Sequence, residues 1–317
     1  MKMNQTWKKQ DIELKPGMSL NGKWHKFRYM IKRKLGSGAI GSVFLCECNG
    51  KEYALKISDN STSMTMEVNV LKSLQKVQGN RLGPSLFDVD DWVTPHGIKY
   101  SFYVMEYLKG ETMASFIKRN GSAWIGVFML QLLEDLERLH QSGWVFGDLK
   151  AENLLVLSSP PRVRWIDVGG TTQKGRAIKE YTEFYDRGYW GMGSRRAEPS
   201  YDLFAFVMVF LNLYFPKRFN KGPNAEKVLY AKINEVKALK IYSPCLMKAI
   251  QGKYQSSAQM KNEIANTMYK AQKTHTSSKQ TGRTQKVRTK TKSPVIVETG
   301  GIFLLALFYY LSSLLVP

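Results

Sequence analysis

Residues 145–156 read VFGDLKAENLLV, a short polar run between two apolar ends. The apolar ends predict two buried strands, and the polar letters GDLKAEN predict the loop that joins them. Asp148, Lys150 and Asn153 would then project from one loop into the same space. These side chains suit the handling of phosphate and magnesium, although the stretch alone is also compatible with an ordinary polar surface turn.

A glycine-rich segment lies about a hundred residues upstream of this loop. The segment LGSGAIGSVF contains Gly36, Gly38 and Gly41, with Val43 two residues after the last glycine. Glycines let a strand-turn-strand lie close over a polyphosphate, with backbone N–H groups turned toward the phosphates. By itself this pattern is weak, because a plain glycine hairpin has the same letters.

Three charged residues complete the pattern. Lys56 lies in the strand-like segment YALKI, where a buried ammonium group needs an anionic partner. Glu67 can supply that partner, since it follows on a segment whose apolar residues recur at helical spacing. Asp167, in RWIDVGG, comes at the end of a predicted strand and before two glycines, which suits a metal-binding carboxylate.

Along the chain the five elements follow one another as the glycine segment, Lys56, Glu67, the GDLKAEN loop and Asp167. In this order they resemble the signature set of the Hanks-type serine/threonine protein kinases over roughly residues 28–270. Within that family the chain is similar to short bacillar kinases that have one C-terminal membrane segment and no extracellular domain. The resemblance implies an α+β, bilobal protein-kinase fold with ATP in the cleft. It also implies protein substrates and Mg²⁺ as the metal, with Mn²⁺ as a second choice.

The resemblance further implies a role for each matching residue. Asp148 would orient the substrate hydroxyl and accept its proton, and Lys150 would neutralise the γ-phosphate. Asn153 and Asp167 would bind the metal. Asp202 matches the aspartate that anchors the catalytic loop from below. Lys56 would hold the α- and β-phosphates of the nucleotide and pair with Glu67, and Met105 would be the gatekeeper. The other residues that would meet the nucleotide are Gly36, Gly38, Gly41, Val43, Ala54, Glu106, Leu108 and Leu155.

The chain departs from the family pattern at several places. Phe146 and Gly147 stand where His-Arg would precede the catalytic aspartate. Phe146 can replace the histidine in packing, but Gly147 lacks the guanidinium that pairs with a phosphorylated activation segment. The Ala-Pro-Glu that closes that segment is also missing, because Gly188 and Tyr189 occupy the positions of Pro and Glu.

The departures leave two other interpretations open. A glycine before the aspartate also occurs in small-molecule phosphotransferases of the aminoglycoside and choline type. The letters DLKxEN favour the protein kinases, since Lys150 and Glu152 belong to the serine/threonine class. A catalytically inactive, membrane-tethered module that binds nucleic acid would explain the altered motifs, but all proposed metal ligands and the base are present.

The chain of 317 residues is long enough for two lobes with hydrophobic cores. Residues 1–27 are basic and are expected to form a loosely structured lead. Residues 28–109 are rich in strand patterns, and residues 110–269 are mostly helical in pattern. Residues 270–294 are predicted to be a basic, solvated linker, and residues 295–317 a membrane span.

A large positive charge distinguishes the composition. The net charge is +21, and residues 1–269 alone contain 39 Lys/Arg against 25 Asp/Glu, a net +14. This charge predicts a polyanionic partner, with DNA as the first choice and anionic lipid as the second. Molecules gathered on one polyanion would self-associate and phosphorylate each other faster.

The C-terminal segment GGIFLLALFYYLSSLLVP carries no charge. As a helix it would be about 27 Å long, which is near the lower limit for a bilayer core. The lysines and arginines that precede it place the kinase lobes in the cytoplasm by the positive-inside rule. The sequence therefore predicts a protein of the cytoplasmic membrane with a single span at residues 295–317.

Overall fold

The computed structural model describes residues 12–38, 41–77 and 82–281. The chain divides into two compact units, Met1–Lys109 and Gly110–Pro317. The first unit is mainly a β-sheet and the second is mainly helical.

A six-stranded antiparallel sheet forms most of the first unit, in the spatial order β1-β2-β3-β4-β6-β5. Its strands are β1 (Ser19–Asn21), β2 (Arg28–Ser37), β3 (Ser42–Cys48), β4 (Lys51–Ser58), β5 (Leu86–Val93) and β6 (Lys99–Glu106). Alternate residues of β3, such as Phe44, Cys46 and Cys48, enter the buried core, as the period of two in a strand requires.

One helix, α1 (Ser61–Gln75), belongs to the first unit. It begins almost directly after β4, since only Asp59 and Asn60 separate the two elements. The side chain of Asn60 accepts a hydrogen bond from the N–H of Ser63 and so caps the first turn. The predicted apolar side of this helix, with Val68 and Leu71, is buried.

The residues before β2 are ordered against the sheet. Leu14 and Leu20 are buried in the core of the first unit, and β1 pairs with β2 through Leu20 and Tyr29. The backbone N–H groups of Trp24 and His25 donate to the carboxylate of Asp90 on β5. The expectation of a loosely structured lead is therefore wrong for residues 12–27, because two buried leucines and a buried carboxylate fix this segment.

The second unit has seven α-helices among its described residues. They are α2 (Met113–Asn120), α3 (Trp124–Gln141), α4 (Pro199–Asn212), α5 (Ala225–Glu235), α6 (Lys237–Lys240), α7 (Ser243–Ile250) and α8 (Ser257–Thr281). Helices α3 and α4 are buried over most of their length, as their nearly continuous apolar sequences predict.

Two small antiparallel sheets carry the loops of the second unit. Strand β7 (Trp144–Val145) pairs with β10 (Thr172–Gln173), and β8 (Leu154–Ser158) pairs with β9 (Pro161–Trp165). The stretch VFGDLKAENLLV is thus a loop between two buried strands, as predicted.

Helix α8 continues beyond the predicted end of the second lobe. Residues 270–281, the first part of the predicted linker, belong to this helix. The remainder of that linker and the predicted span at residues 295–317 lie outside the described residues. Between residues 12 and 281, within the ranges described, none of the helices combines the length and hydrophobicity that a membrane crossing requires.

Candidate active site

A buried ion pair joins β4 to α1 in the first unit. The Nζ of Lys56 lies 2.9 Å from Oε1 and 2.7 Å from Oε2 of Glu67. The hydroxyl of Tyr103, on β6, donates to Oε2 of Glu67 at 2.7 Å. The predicted pairing is present, and the short connection from β4 to α1 brings the two residues together.

The glycine segment joins β2 to β3. Gly36 is the register partner of Val43, and the N–H of Gly38 donates to the carbonyl of Gly41 at 2.9 Å. A Cβ at Gly41 would lie 2.3 Å from the carbonyl oxygen of Ile57 on β4, so a side chain cannot fit there. Around Gly36 and Gly38 no described atom lies within 4 Å of an added Cβ, so this part of the segment is open.

The residues expected to meet adenine lie on β4 and at the end of β6. Ala54 and Met105 are register partners and both are buried, as is Leu108 just beyond the strand. The carboxylate of Glu106 accepts from the N–H and the hydroxyl of Ser85, and its own N–H donates to the Ser85 carbonyl. Both the side chain and the backbone of Glu106 are therefore held by Ser85.

The catalytic loop of the second unit carries the candidate base. The Nζ of Lys150 lies 2.5 Å from Oδ2 of Asp148, and the hydroxyl of Thr182 lies 3.4 Å from its Oδ1. The side-chain amide of Asn153 donates to the backbone carbonyl of Asp148 at 3.0 Å. Burial raises the pKa of Asp148 above its ordinary value, while Lys150 acts in the opposite direction.

Asp167 follows β9 by two residues, as predicted, and its Oδ1 accepts from the N–H of Gly169 at 2.9 Å. A Cβ at Gly170 would lie 2.6 Å from the Cβ of Asp148, so only glycine permits this close approach of the two segments. Leu155 lies on the adjoining strand β8, opposite Arg164. The oxygen atoms that Asp167 and Asn153 can offer are of the kind that Mg²⁺ prefers, so the residues present fit this metal.

A fully buried aspartate holds the catalytic loop from α4. The Oδ2 of Asp202 accepts from the N–H of Phe146 at 2.7 Å, and its Oδ1 accepts from the N–H of Gly147 at 3.0 Å. The ring of Phe146 packs edge-on against Trp165 at 4.8 Å between centroids. Both expectations from the sequence, an anchoring Asp202 and a packing Phe146, are met.

Gly147 has a backbone conformation that other residues rarely adopt, with φ of 78°. A Cβ at this position would lie 2.5 Å from the carbonyl oxygen of Gly170 and 3.2 Å from Cδ1 of Ile178. The local geometry at position 147 therefore leaves no room for the side chain of an arginine.

A network of charged residues holds together the segment after Thr182. The Ala-Pro-Glu motif of the family is missing from this segment. Arg187 is buried and donates to the carbonyl of Ser194, the hydroxyl of Ser200 and the carboxylate of Glu198. Asp186 is fully buried and accepts from Arg195, the hydroxyl of Tyr201 and two backbone N–H groups. Sequence reasoning missed this network, since its residues match no motif.

Two further contacts of the second unit were not predicted. Glu152 of the catalytic loop accepts from Arg218 at 2.9 Å and from the hydroxyl of Tyr185 at 3.2 Å. His140, at the end of α3, lies 2.8 Å from Asp202. A histidine at the end of a buried helix was a visible signal in the sequence, but its partner 62 residues away was not.

The chain matches the family model described as the protein kinase domain over residues 29–288. It is 50% identical over 259 residues to the serine/threonine-protein kinase YabT of Bacillus subtilis, covering 81% of this chain and 77% of that protein. It is 27% identical over 220 residues to the sporulation protein kinase mde3 of Schizosaccharomyces pombe, covering 62% of this chain and 39% of that protein.

The structure is similar to that of vaccinia related kinase 3, with a TM-score of 0.59 and 16% sequence identity. This likeness covers 82% of the chain and 93% of that structure, and it shows the bilobal, mixed α/β protein-kinase fold. The comparisons decide for a protein kinase against a small-molecule phosphotransferase. The chain belongs to the protein kinase family, as a serine/threonine protein kinase of the Hanks type that uses ATP and Mg²⁺.

Proposed function

We propose that this kinase is anchored in the cytoplasmic membrane, acts on serine and threonine hydroxyls through Asp148, and is activated by a polyanion. The observation that carries the proposed chemistry is the environment of Asp148. One of its oxygens meets Lys150 and the other meets the hydroxyl of Thr182, in a site where burial raises the pKa of the carboxyl group.

In the proposed reaction Asp148 orients the substrate hydroxyl and accepts its proton as the oxygen attacks the γ-phosphorus of ATP. The bond from the γ-phosphorus to the bridging oxygen breaks, and ADP leaves. Lys150 neutralises charge on the transferred group, while Lys56, held by Glu67, binds the α- and β-phosphates. Asn153 and Asp167 would hold Mg²⁺, which supplies further charge neutralisation when bound, and Mn²⁺ is the second choice.

The test is Mg²⁺-dependent autophosphorylation of the purified protein. Lys56→Met, Asp148→Asn and Asp167→Asn should each lower the rate by orders of magnitude, because each removes one part of the charge and position needed for transfer. Glu235→Gln, which neutralises an exposed carboxylate at the end of α5, is the matched control and should have no effect. Full activity of Asp148→Asn would refute the assigned base.

The proposed anchor is the uncharged C-terminal segment, residues 295–317. Its support is its length and hydrophobicity, together with the eight lysines and arginines in residues 270–294 that precede it. Deleting residues 295–317 should convert a membrane-bound kinase into a soluble one with both lobes folded. If the full-length protein stays in the soluble fraction at low and at high salt, there is no anchor.

The proposed activator is DNA close to the membrane, bound through its phosphates without reading the bases. The support is the net charge of +14 on residues 1–269, which exceeds what a membrane-flanking linker accounts for. Two kinases gathered on one strand would meet more often and phosphorylate each other faster. Anionic lipid is the second choice, since it would use the same positive charges.

This proposal is tested on the anchor-free protein by measuring autophosphorylation with DNA over a series of salt concentrations. The logarithm of the affinity should fall with the logarithm of the salt concentration by about 0.9 for each duplex phosphate neutralised. Neutralising the basic residues of the linker should flatten that slope. A rate that does not respond to DNA at low salt excludes activation by DNA, and vesicles with and without anionic lipid then test the alternative. The residues to neutralise are Lys270, Lys273, Lys279, Arg283, Lys286, Arg288, Lys290 and Lys292.

A further inference from the structure

A chain of buried hydrogen bonds runs from helix α8 to the catalytic loop. The Oγ of Ser257 lies 3.1 Å from Nδ1 of His140, and Nε2 of His140 lies 2.8 Å from Oδ2 of Asp202. The carboxylate of Asp202 also accepts from the N–H groups of Phe146 and Gly147. Ser257 and Asp202 have no exposed surface, and His140 is 2% exposed. Water therefore cannot replace a missing partner in this series of hydrogen bonds.

The direction of each hydrogen bond follows from the chemistry of the groups. A carboxylate only accepts, so Nε2 of His140 carries the proton and donates to Asp202. In the neutral ring Nδ1 is then an acceptor, and the hydroxyl of Ser257 donates to it. Asp202 thus fixes the tautomer of His140, and Ser257 holds the orientation of the ring that donates to Asp202.

The first turn of α8 is held on α3 by a second contact. The N–H of Ala258 donates to Oε2 of Glu137 at 2.8 Å, one turn before His140 on α3. Further along α8, Met260 and Ile264 are fully buried. The position of Ser257 therefore depends on how α8 is docked against α3.

We propose that Ser257 and His140 are positioning residues for the catalytic loop, so that docking of α8 controls how firmly Asp202 holds that loop. Neither residue needs to touch a substrate, since both act through Asp202. The inference rests on the proposed role of Asp148, which directly follows Gly147.

The experiment compares Ser257→Ala, His140→Gln and the double variant in the full chain. A glutamine can offer its Nε2 to Asp202 in place of the imidazole Nε2, but it has no acceptor for Ser257 at the Nδ1 position. Ser257→Ala should lower kcat by about tenfold, the effect of one buried hydrogen bond, with the KM for ATP unchanged. Because His140→Gln has already lost the contact with Ser257, the double variant should resemble His140→Gln alone.

Hydrogen exchange provides a readout that is independent of activity. The amides of Phe146 and Gly147 should exchange faster in Ser257→Ala, because their acceptor Asp202 is less firmly held. Thr267→Val is the control on the same helix, since the hydroxyl of Thr267 donates to the carbonyl of Glu263 and has no link to His140. It should change neither kcat nor the exchange of the two amides.

Several outcomes would overturn the inference. They are an unchanged kcat in Ser257→Ala, effects of Ser257→Ala and His140→Gln that multiply in the double variant, or an equal loss in Thr267→Val. If Ser257→Ala does not fold, kcat and the exchange of the two amides are measured in Ser257→Cys instead. Its thiol is of similar size but is a weaker donor, so the changes should have the same direction. A fully active Asp148→Asn would refute the proposed function while leaving the exchange result as it stands, so the two failures are distinguishable.

Discussion

The guanidinium of Arg187 is ion-paired with the carboxylate of Glu198, eleven residues further along the chain. In the family, an Ala-Pro-Glu motif closes this part of the activation segment. Here the closure is made by a buried arginine that also donates to the carbonyl of Ser194 and the hydroxyl of Ser200. The segment therefore has a closing contact of its own, although its motif is absent.

Removing this closure should destabilise the segment. Arg187→Ala should lower the free energy of unfolding by about 2 kcal/mol, because three acceptors lose a charged donor whose own side chain is buried. Arg187→Lys should recover part of this loss, since it keeps the charge but lacks the planar guanidinium whose three nitrogens each reach a different acceptor. Chemical denaturation measures both, with the exposed Lys179→Ala as the control. An unfolding free energy of Arg187→Ala equal to that of the wild type would contradict the assigned role.

The ion pair between Lys56 and Glu67 should control the binding and use of ATP. Glu67→Gln keeps the size of the side chain but removes the negative charge that pairs with the buried ammonium group of Lys56. It should lower kcat/KM for ATP by about a hundredfold. Tyr103→Phe removes only the hydroxyl that donates to Glu67, so its effect should be much smaller. Equal losses in the two variants would mean that the counter-charge is not what matters.

Gly147 should not tolerate any side chain. Gly147→Ala combines a strained backbone, with φ of 78°, and a clash with the carbonyl of Gly170. It should cost more than the ~1–2 kcal/mol of the backbone strain alone. Gly121→Ala is the matched control, because Gly121 has φ of 92° but no atom within 4 Å of an added Cβ.

Thermal unfolding of both variants measures the difference. The same clash predicts that Gly147→Arg loses activity instead of gaining control by a phosphorylated activation segment. Equal unfolding free energies for Gly147→Ala and Gly121→Ala would show that the clash relaxes without cost.

The pH dependence of catalysis should reflect the raised pKa of Asp148. The base must be ionised, so kcat/KM should rise with pH through that pKa and then level off. Lys150 opposes the rise in pKa, so the residual activity of Lys150→Met should have its acid limb at higher pH than the wild type. An acid limb that stays in place in Lys150→Met would show that another group limits the rate.

The same pKa makes a prediction about stability. A carboxyl group whose pKa is raised in the folded state holds its proton more tightly there than in the unfolded chain. Its contribution to stability is therefore present at low pH and lost as the pH rises through the raised value. Asp148→Asn, which cannot ionise, should be at least as stable as the wild type at neutral pH. Loss of activity in this variant would then report lost chemistry rather than unfolding.

The sequence was sufficient to predict those parts of the site that lie in short segments with a recognisable pattern. The loop around Asp148 lies between two strands that are apolar enough to be predicted, and Asp167 follows a strand end. Lys56 and Glu67 are eleven residues apart on a strand and a helix, so their pairing needed only the order of the two elements.

Long-range contacts were not predictable, because nothing in the local sequence marks the partners. Ser257 and His140 are 117 residues apart, and neither belongs to a motif. The docking of residues 12–27 was missed because it depends on the buried Leu14 and Leu20 and on the carboxylate of Asp90, which lies more than sixty residues away. The closure by Arg187 was missed because it replaces a family motif with unrelated residues.

The short connection between β4 and α1 limits how this kinase can be inhibited. Only Asp59 and Asn60 separate Ser58 from Ser61, so their Cα atoms can be at most about 11 Å apart, three virtual bonds of about 3.8 Å. The start of α1 cannot swing far from the sheet unless its first turn unwinds or the end of β4 detaches. Small molecules that act by displacing this helix and opening a pocket behind it should bind poorly, and inhibitors that compete for the nucleotide itself are the better starting point.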